Sequence, residues 1–180
     1  MRVADAIFER LKQETDTVFL VPGGGAMFLV DALGRSGMRW VSAIHEEAAG
    51  LMALGHAMYR NALGVCLVTS GPGATNAITA CAAAWTDSVP LLIISGQAKT
   101  ETLVGSTGLR TRGVQEIDII PMVSPITKYA NQPPIELLEM AVNPGDLIKD
   151  TLEFMIKSCM SGRRGPCWLS IPQDVQGMAM

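Results

Sequence analysis

The chain has 180 residues, 48% of them hydrophobic and 17% charged, with a formal net charge of -3. That is enough for one domain with a substantial core. The net charge gives no reason to expect nucleic acid or an anionic membrane surface as partner, and no apolar run reaches the roughly 18 to 20 residues of a membrane span. At the N-terminus, Val3, Ala4, Ile7, Phe8 and Leu11 recur at helical spacing with charges between them, which predicts an amphipathic helix rather than a signal peptide. Residues 17–21 read as a strand ended by Pro22-Gly23-Gly24-Gly25. Residues 26–33 read as a helix closed by Gly34 and Gly37, and residues 39–43 as a short strand. A long helix rich in Ala and Met follows over 46–61, then a strand over 64–68, a turn at Ser70-Gly71-Pro72-Gly73 and a helix of small residues over 74–85. Residues 90–95 are apolar up to Ser95, which predicts a central strand covered on both faces. A long loop is expected over 96–115, a short helix over 117–123 and a strand over 126–130. Asn131-Gln132-Pro133-Pro134 reads as a break, residues 146–160 as a helix and residues 166–171 as a last strand ending at Pro172.

Strands alternating with helices predict an α/β fold, three-layer αβα, with a six-stranded mostly parallel sheet in a single domain over residues 1–180. The four cysteines, Cys66, Cys81, Cys159 and Cys167, lack CxxC spacing and sit among apolar neighbours. They read as small buried hydrophobes of a reducing cytoplasm, not as disulfides or metal ligands.

In open α/β sheets, ligands bind beyond the carboxyl ends of the strands. Four unusual segments fall at such ends: Pro22 to Gly25, His45-Glu46-Glu47, Thr69 to Gly73, and the loop after Ser95. Gly71-Pro72-Gly73-Ala74-Thr75-Asn76 only partly matches a dinucleotide fingerprint. Asn76 replaces the third glycine, and no acidic residue follows about 20 positions on, so a nicotinamide enzyme is disfavoured. Glu46 and Glu47 open a helix, where acidic residues are ordinarily favoured. Adjacent helical side chains diverge by about 100°, so one can face the ligand edge while the other meets solvent.

Six segments in order, VPGGGAM at 21–27, HEEAAG at 45–50, TSGPGATNAIT at 69–79, DSVPLLIISGQ at 87–97, GVQEIDIIPMVSPITKY at 113–129 and GPCWLSIPQDVQ at 165–176, carry a resemblance. The chain resembles the N-terminal, pyrimidine-binding domain of thiamine-diphosphate enzymes of the acetolactate synthase group. The resemblance implies that Glu46 is the activating carboxylate, with Glu47 a bystander. It places Pro22, Gly23 and Gly24 against the pyrimidine, has Thr69, Pro72 and Asn76 lining its pocket, and points Gln115 at the thiazolium and substrate. In the family, a carboxylate shares a proton with a ring nitrogen of the pyrimidine. That turns the cofactor's own amino group into the base that takes the C2 proton, and a 2-oxo acid is then attacked and decarboxylated. Such a carboxyl is best held dry, and Ala48, Ala49, Leu51 and Met52 are expected to provide that dryness. Arg110 and Arg112 are candidates for holding a substrate carboxylate. His45, Trp85 and Trp168 are expected to pack rather than react, and Met52 and Met58 to lie in core or interface.

Two departures bear on function. Val114 stands where acetolactate synthases carry an aromatic residue, which leaves the substrate and acceptor open. The family's Gly-Asp-Gly motif for magnesium and diphosphate is also missing: Gly145-Asp146 lacks the second glycine and reads as a helix cap. The chain is therefore expected to engage only the pyrimidine end of thiamine diphosphate. Mg2+ is expected on a separate diphosphate-binding domain or subunit, no metal site and no FAD are expected in this chain, and a homodimer and a small 2-oxo acid substrate are implied. The alternative is a non-catalytic remnant that dimerises or binds a full-length family member.

Overall fold

The computed structural model describes residues 1–133 and 144–180. Helix α1 (Val3–Leu11) leads to β1 (Thr17–Leu20), a 3-10 turn at Gly24–Ala26 and α2 (Met27–Ser36). Strand β2 (Arg39–Ser42), α3 (Glu46–Arg60) and β3 (Gly64–Val68) follow, then α4 (Pro72–Asn76), α5 (Ile78–Asp87) and β4 (Leu91–Gln97). The chain continues through α6 (Ile119–Val123), β5 (Tyr129–Asn131), α7 (Pro144–Met160), β6 (Cys167–Pro172) and α8 (Gln173–Gly177). The six strands form one sheet in the order β2-β1-β3-β4-β6-β5, and every neighbouring pair is parallel.

Parallel crossovers cover both faces of such a sheet, so its inner strands are apolar throughout. All seven residues of β4 and all six of β6 are buried. Side chains alternate between two cores. Leu92 and Ile94 join Val18, Leu20, Leu67 and Leu169 under α1, α2 and α7. Leu91 and Ile93 join Phe19, Cys66, Val68 and Trp168 under α3 and α5. The second face is lined with small residues: a Cβ on Gly50 of α3 would come within 2.5 Å of the Ala80 Cβ on α5. All four cysteines are buried, as their apolar neighbours predict. Trp168 is fully buried and its indole N–H donates to Ser95 Oγ at 3.0 Å.

Several boundaries differ from the sequence reading. Strand β4 runs through Gly96 and Gln97, which pair with Ile171 and Pro172, so the loop begins later. The predicted single helix over 74–85 is two. Pro72 starts α4 at its first position behind Gly71, whose φ of 58° suits glycine, and a tight turn at Ala77 separates it from α5. Strand β5 starts only at Tyr129, because Ser124–Ile126 forms a 3-10 turn and Thr127 Oγ1 donates back to the Val123 carbonyl at 3.0 Å. Gly145 and Asp146 lie inside the first turn of α7 rather than capping it. Pro134, the end of the expected break, lies outside the described residues. Trp85 is 40% exposed and so is not core, and Met52 and Met58 are exposed as well. No helix among the described residues is long and apolar enough to cross a membrane.

Candidate functional site

Strand β1 is followed by a helix on one face of the sheet, and its neighbour β3 by helices on the other. Winding therefore reverses between β1 and β3, and this switch point opens a crevice at their carboxyl ends. Both glycine-rich turns emerge there: Pro22 to Gly25 after β1 and Thr69 to Gly73 after β3. They pack tightly. Thr69 Oγ1 accepts from the Gly25 N–H at 3.0 Å, and a Cβ on Gly23 would lie 2.5 Å from the Thr69 Cβ. Gly24 is open, with nothing within 4 Å of where its Cβ would stand.

Glu46 enters from α3. His45 caps that helix: its Nδ1 accepts from the Glu47 N–H at 3.3 Å. The sequence reading treated His45 as packing, but it is exposed and its work is the cap. The Glu46 carboxylate is half-buried and turns toward α4, where its Oε2 accepts from Asn76 Nδ2 at 2.9 Å. Its Oε1 has no hydrogen-bond partner among the described residues, and a Cβ on Gly73 would stand only 3.2 Å from it. The free oxygen is thus bordered by backbone without a side chain. The expected apolar screen is only partly present. Ala49 is buried, but Leu51 and Met52 are 41% and 40% exposed. They point away because helix geometry spreads residues 49, 51 and 52 around the axis. Close to the carboxylate is Cys66, whose thiol is pushed up to about 12 by burial and, less, by the negative charge of Glu46.

Glu46, Asn76, Gly73, Thr69 and Gly23 therefore form one continuous set of contacts. Pro72 begins α4 beside them and is exposed. Gln115 lies on the other side of the turn. It is exposed, adopts a positive φ of 56°, and its backbone presses on Gly71, where no side chain would fit. It lines a cleft of about 390 Å³ together with Gly24, Gly25, Ser70, Arg112 and Gln173. Arg110 lines a separate cavity of about 330 Å³ behind the same loop. The two arginines thus face different spaces.

Several organising residues lie in the segments that carry the resemblance, yet the sequence reading gave them no role. Glu116 gathers the loop after β4: its carboxylate accepts from the backbone N–H groups of Val104, Arg112 and Gly113, the last two at 3.1 Å. Gln97 is 2% exposed; its side chain donates to the Ile117 carbonyl at 2.8 Å and accepts from the Ala98 N–H at 2.9 Å. Gln173, Asp174 and Gln176 on α8 reach back to the two segments at the sheet edge. Only a run of polar residues directly after a buried strand hinted at them.

An all-parallel, doubly covered sheet with two glycine-rich turns and a half-buried carboxylate at its switch point defines an α/β ligand-binding domain. The profile of the thiamine pyrophosphate enzyme N-terminal TPP binding domain matches residues 1–122, and the chain belongs to that family. It is similar to the acetolactate synthase large subunit of Corynebacterium glutamicum, with 40% identity over 178 residues, 98% of this chain and 26% of that protein. It is also similar to the acetolactate synthase isozyme 2 large subunit of Escherichia coli, with 37% identity over 164 residues, 91% of this chain and 27% of that protein. A thiamine diphosphate-dependent 4-hydroxybenzoylformate decarboxylase of Rhodococcus jostii shares the fold, with a TM-score of 0.80 over 98% of this chain and 31% of that chain, at 22% identity. The chain spans about a quarter of the length of the curated relatives it matches.

Proposed function

We propose that this chain supplies the pyrimidine-binding, cofactor-activating part of a thiamine-diphosphate-dependent 2-oxo acid decarboxylase or carboligase resembling acetolactate synthase. The observation that carries this reading is the Glu46 carboxylate. One oxygen is fixed by Asn76 at 2.9 Å, and the other is free beside the bare backbone of Gly73. That is the arrangement needed to hold a proton on a ring nitrogen: a fixed carboxylate with one available acceptor and room for a flat ring. Bound thiamine diphosphate supplies the carbon acid and the electron sink. Glu46 holds the proton at the pyrimidine nitrogen, and Asn76 keeps the carboxylate from turning away. Pro22, Gly23 and Gly24 give the ring a backbone surface, of which Gly24 is the open part, and Thr69 holds the shape of that surface. Pro72 borders the pocket. Gln115, on the far side of the turn, lines the cleft of about 390 Å³, and on this reading it meets the thiazolium and the substrate.

Because Glu46 is only half-buried, water must be excluded from it by another surface. On this reading a second copy and a diphosphate-binding domain or subunit close the site, the latter carrying Mg2+. The face of α3 that exposes Leu51, Met52, Met58 and Tyr59 supports the homodimer. The four buried thiols suit a reducing cytoplasm.

The test is exchange of the thiamine C2 proton for deuterium, followed by NMR after acid quenching, with the diphosphate-binding partner present. Glu46→Gln should lose the accelerated exchange and Glu47→Gln should keep it. The opposite result would overturn the assignment.

A further inference from the structure

The short helix α8 sits directly behind the glycine turn, and its side chains tie down the backbone of the 3-10 turn at Gly24–Ala26. Gln176 is fully buried, and its Nε2 donates to two carbonyls: Ile171 at the end of β6, at 2.8 Å, and Gly25, at 2.7 Å. Gln173 Nε2 donates to the Gly24 carbonyl at 3.0 Å. Asp174 accepts from the backbone N–H of Thr100, at 3.0 Å, and from its hydroxyl, fixing the start of the loop after β4.

Gly25 is therefore held by both of its backbone polar groups. Its N–H goes to Thr69 at the end of β3, and its carbonyl goes to Gln176 beyond the end of β6. Between these anchors it lies directly on Gly96 of β4, where any side chain would overlap it. The turn is thus pinned across three strands, while its opposite side at Gly24 stays open. Gln176 does this at a cost. Its Oε1 is buried with no hydrogen-bond partner among the described residues, which a methionine of nearly the same shape would avoid. A residue that served only to fill this space would not need the amide.

We infer that Gln176 is a positioning residue that fixes the Pro22–Gly25 turn in the place where it meets its ligand, with Gln173 as a weaker second tie. The identity of that ligand as the thiamine pyrimidine rests on the function proposed above; the pinning does not. On that reading Gln176 acts through the backbone of Gly24 and Gly25 and touches no reacting atom.

Hydrogen exchange of the ligand-free chain, read peptide by peptide by mass spectrometry, tests the pinning. In Gln176→Met, peptides covering 22–27 should exchange about tenfold faster, while those covering β3 and β4 keep their rates. Gln173→Ala, which leaves the core untouched, should give a smaller rise confined to the same peptides, and it serves if the first variant folds poorly. Unchanged exchange at 22–27 in both variants, or a uniform rise across the sheet, overturns the inference and leaves the proposed function standing. Failure of the Glu46→Gln experiment would remove the cofactor from the picture while leaving the exchange result intact.

Discussion

Replacing Gly96 by alanine should cost far more than its chemistry suggests. A Cβ there would lie 2.7 Å from the Ala26 nitrogen and closer still to the Gly25 carbonyl. These neighbours are backbone, so no side chain can rotate out of the way, and the turn would have to withdraw from β4 by about 1 Å to regain ordinary contact. Such a shift breaks or stretches the bonds from Gln176 Nε2 to the Gly25 carbonyl, now 2.7 Å, and from Gly25 N–H to Thr69, now 3.0 Å. Two hydrogen bonds at about 1 kcal/mol each, plus overpacking strain of about 1 kcal/mol, are offset by about 0.5–1 kcal/mol from the lower entropy of the unfolded alanine chain. The net destabilisation is about 2 kcal/mol, roughly a 4–8 °C fall in Tm for a domain of this size. Gly24→Ala is the control, since nothing lies within 4 Å of its added methyl. It should leave stability unchanged or raise it by up to about 1 kcal/mol through the same unfolded-chain entropy. Urea denaturation of both variants measures the difference. Equal losses, or a Gly96→Ala as stable as the native chain, would refute the close approach of turn and strand.

Other outcomes follow from the ionic and loop contacts. Burial pushes the Asp5 carboxyl up, but the Arg2 backbone N–H and the guanidiniums of Arg35 and Arg2 outweigh it and hold it at about 2. A folded value below the ordinary 3.8 means that Asp5 contributes stability above about pH 4, which is lost as pH falls toward 2. After screening at the half-exposed Arg35 and Asp31, that contribution is about 1 kcal/mol. Asp5→Asn should therefore narrow its deficit against the native chain by that amount between pH 5 and about 2 in urea titrations; a constant deficit would count against it. Glu116→Ala removes the acceptor of three backbone N–H groups, so hydrogen exchange over 103–116 should rise while the sheet stays protected. Unchanged protection there would show that the loop is held by other means.

The sheet was legible because burial on both faces leaves an unmistakable residue pattern. The runs at 17–21, 64–68 and 90–95 are apolar for the reason that Phe19, Val68 and Ile93 face one core and Leu20, Leu67 and Ile94 the other. What failed was the reading of glycine as a stop. Gly96 looked like the end of β4, yet it is a strand residue kept bare for the turn lying on it. At the site, Glu46 is distinguished from Glu47 by motif resemblance alone; the bond from Asn76 to Glu46 is a contact between side chains 30 positions apart that no local pattern announces. The expected dry shell was drawn from nearness in sequence, but Leu51 and Met52 follow the helix outward. Gln176 ends one of the six segments that carry the resemblance, but its role was unreadable because its partner at Gly25 is a backbone carbonyl 151 positions away, and a carbonyl has no identity in a sequence.

Residues 1 and 180 come together: the Met180 N–H donates to the Met1 carbonyl at 2.9 Å, and Arg2 bridges Ala179. The Val3 N–H also donates to the Met178 carbonyl at 2.9 Å, so the start of α1 is tied to the stretch just after α8. Helix α8 is thus held on two sides: its side chains grip the Gly24–Gly25 turn, and the stretch after it is tied to the start of α1, so a disturbance of α1 reaches the crevice through α8.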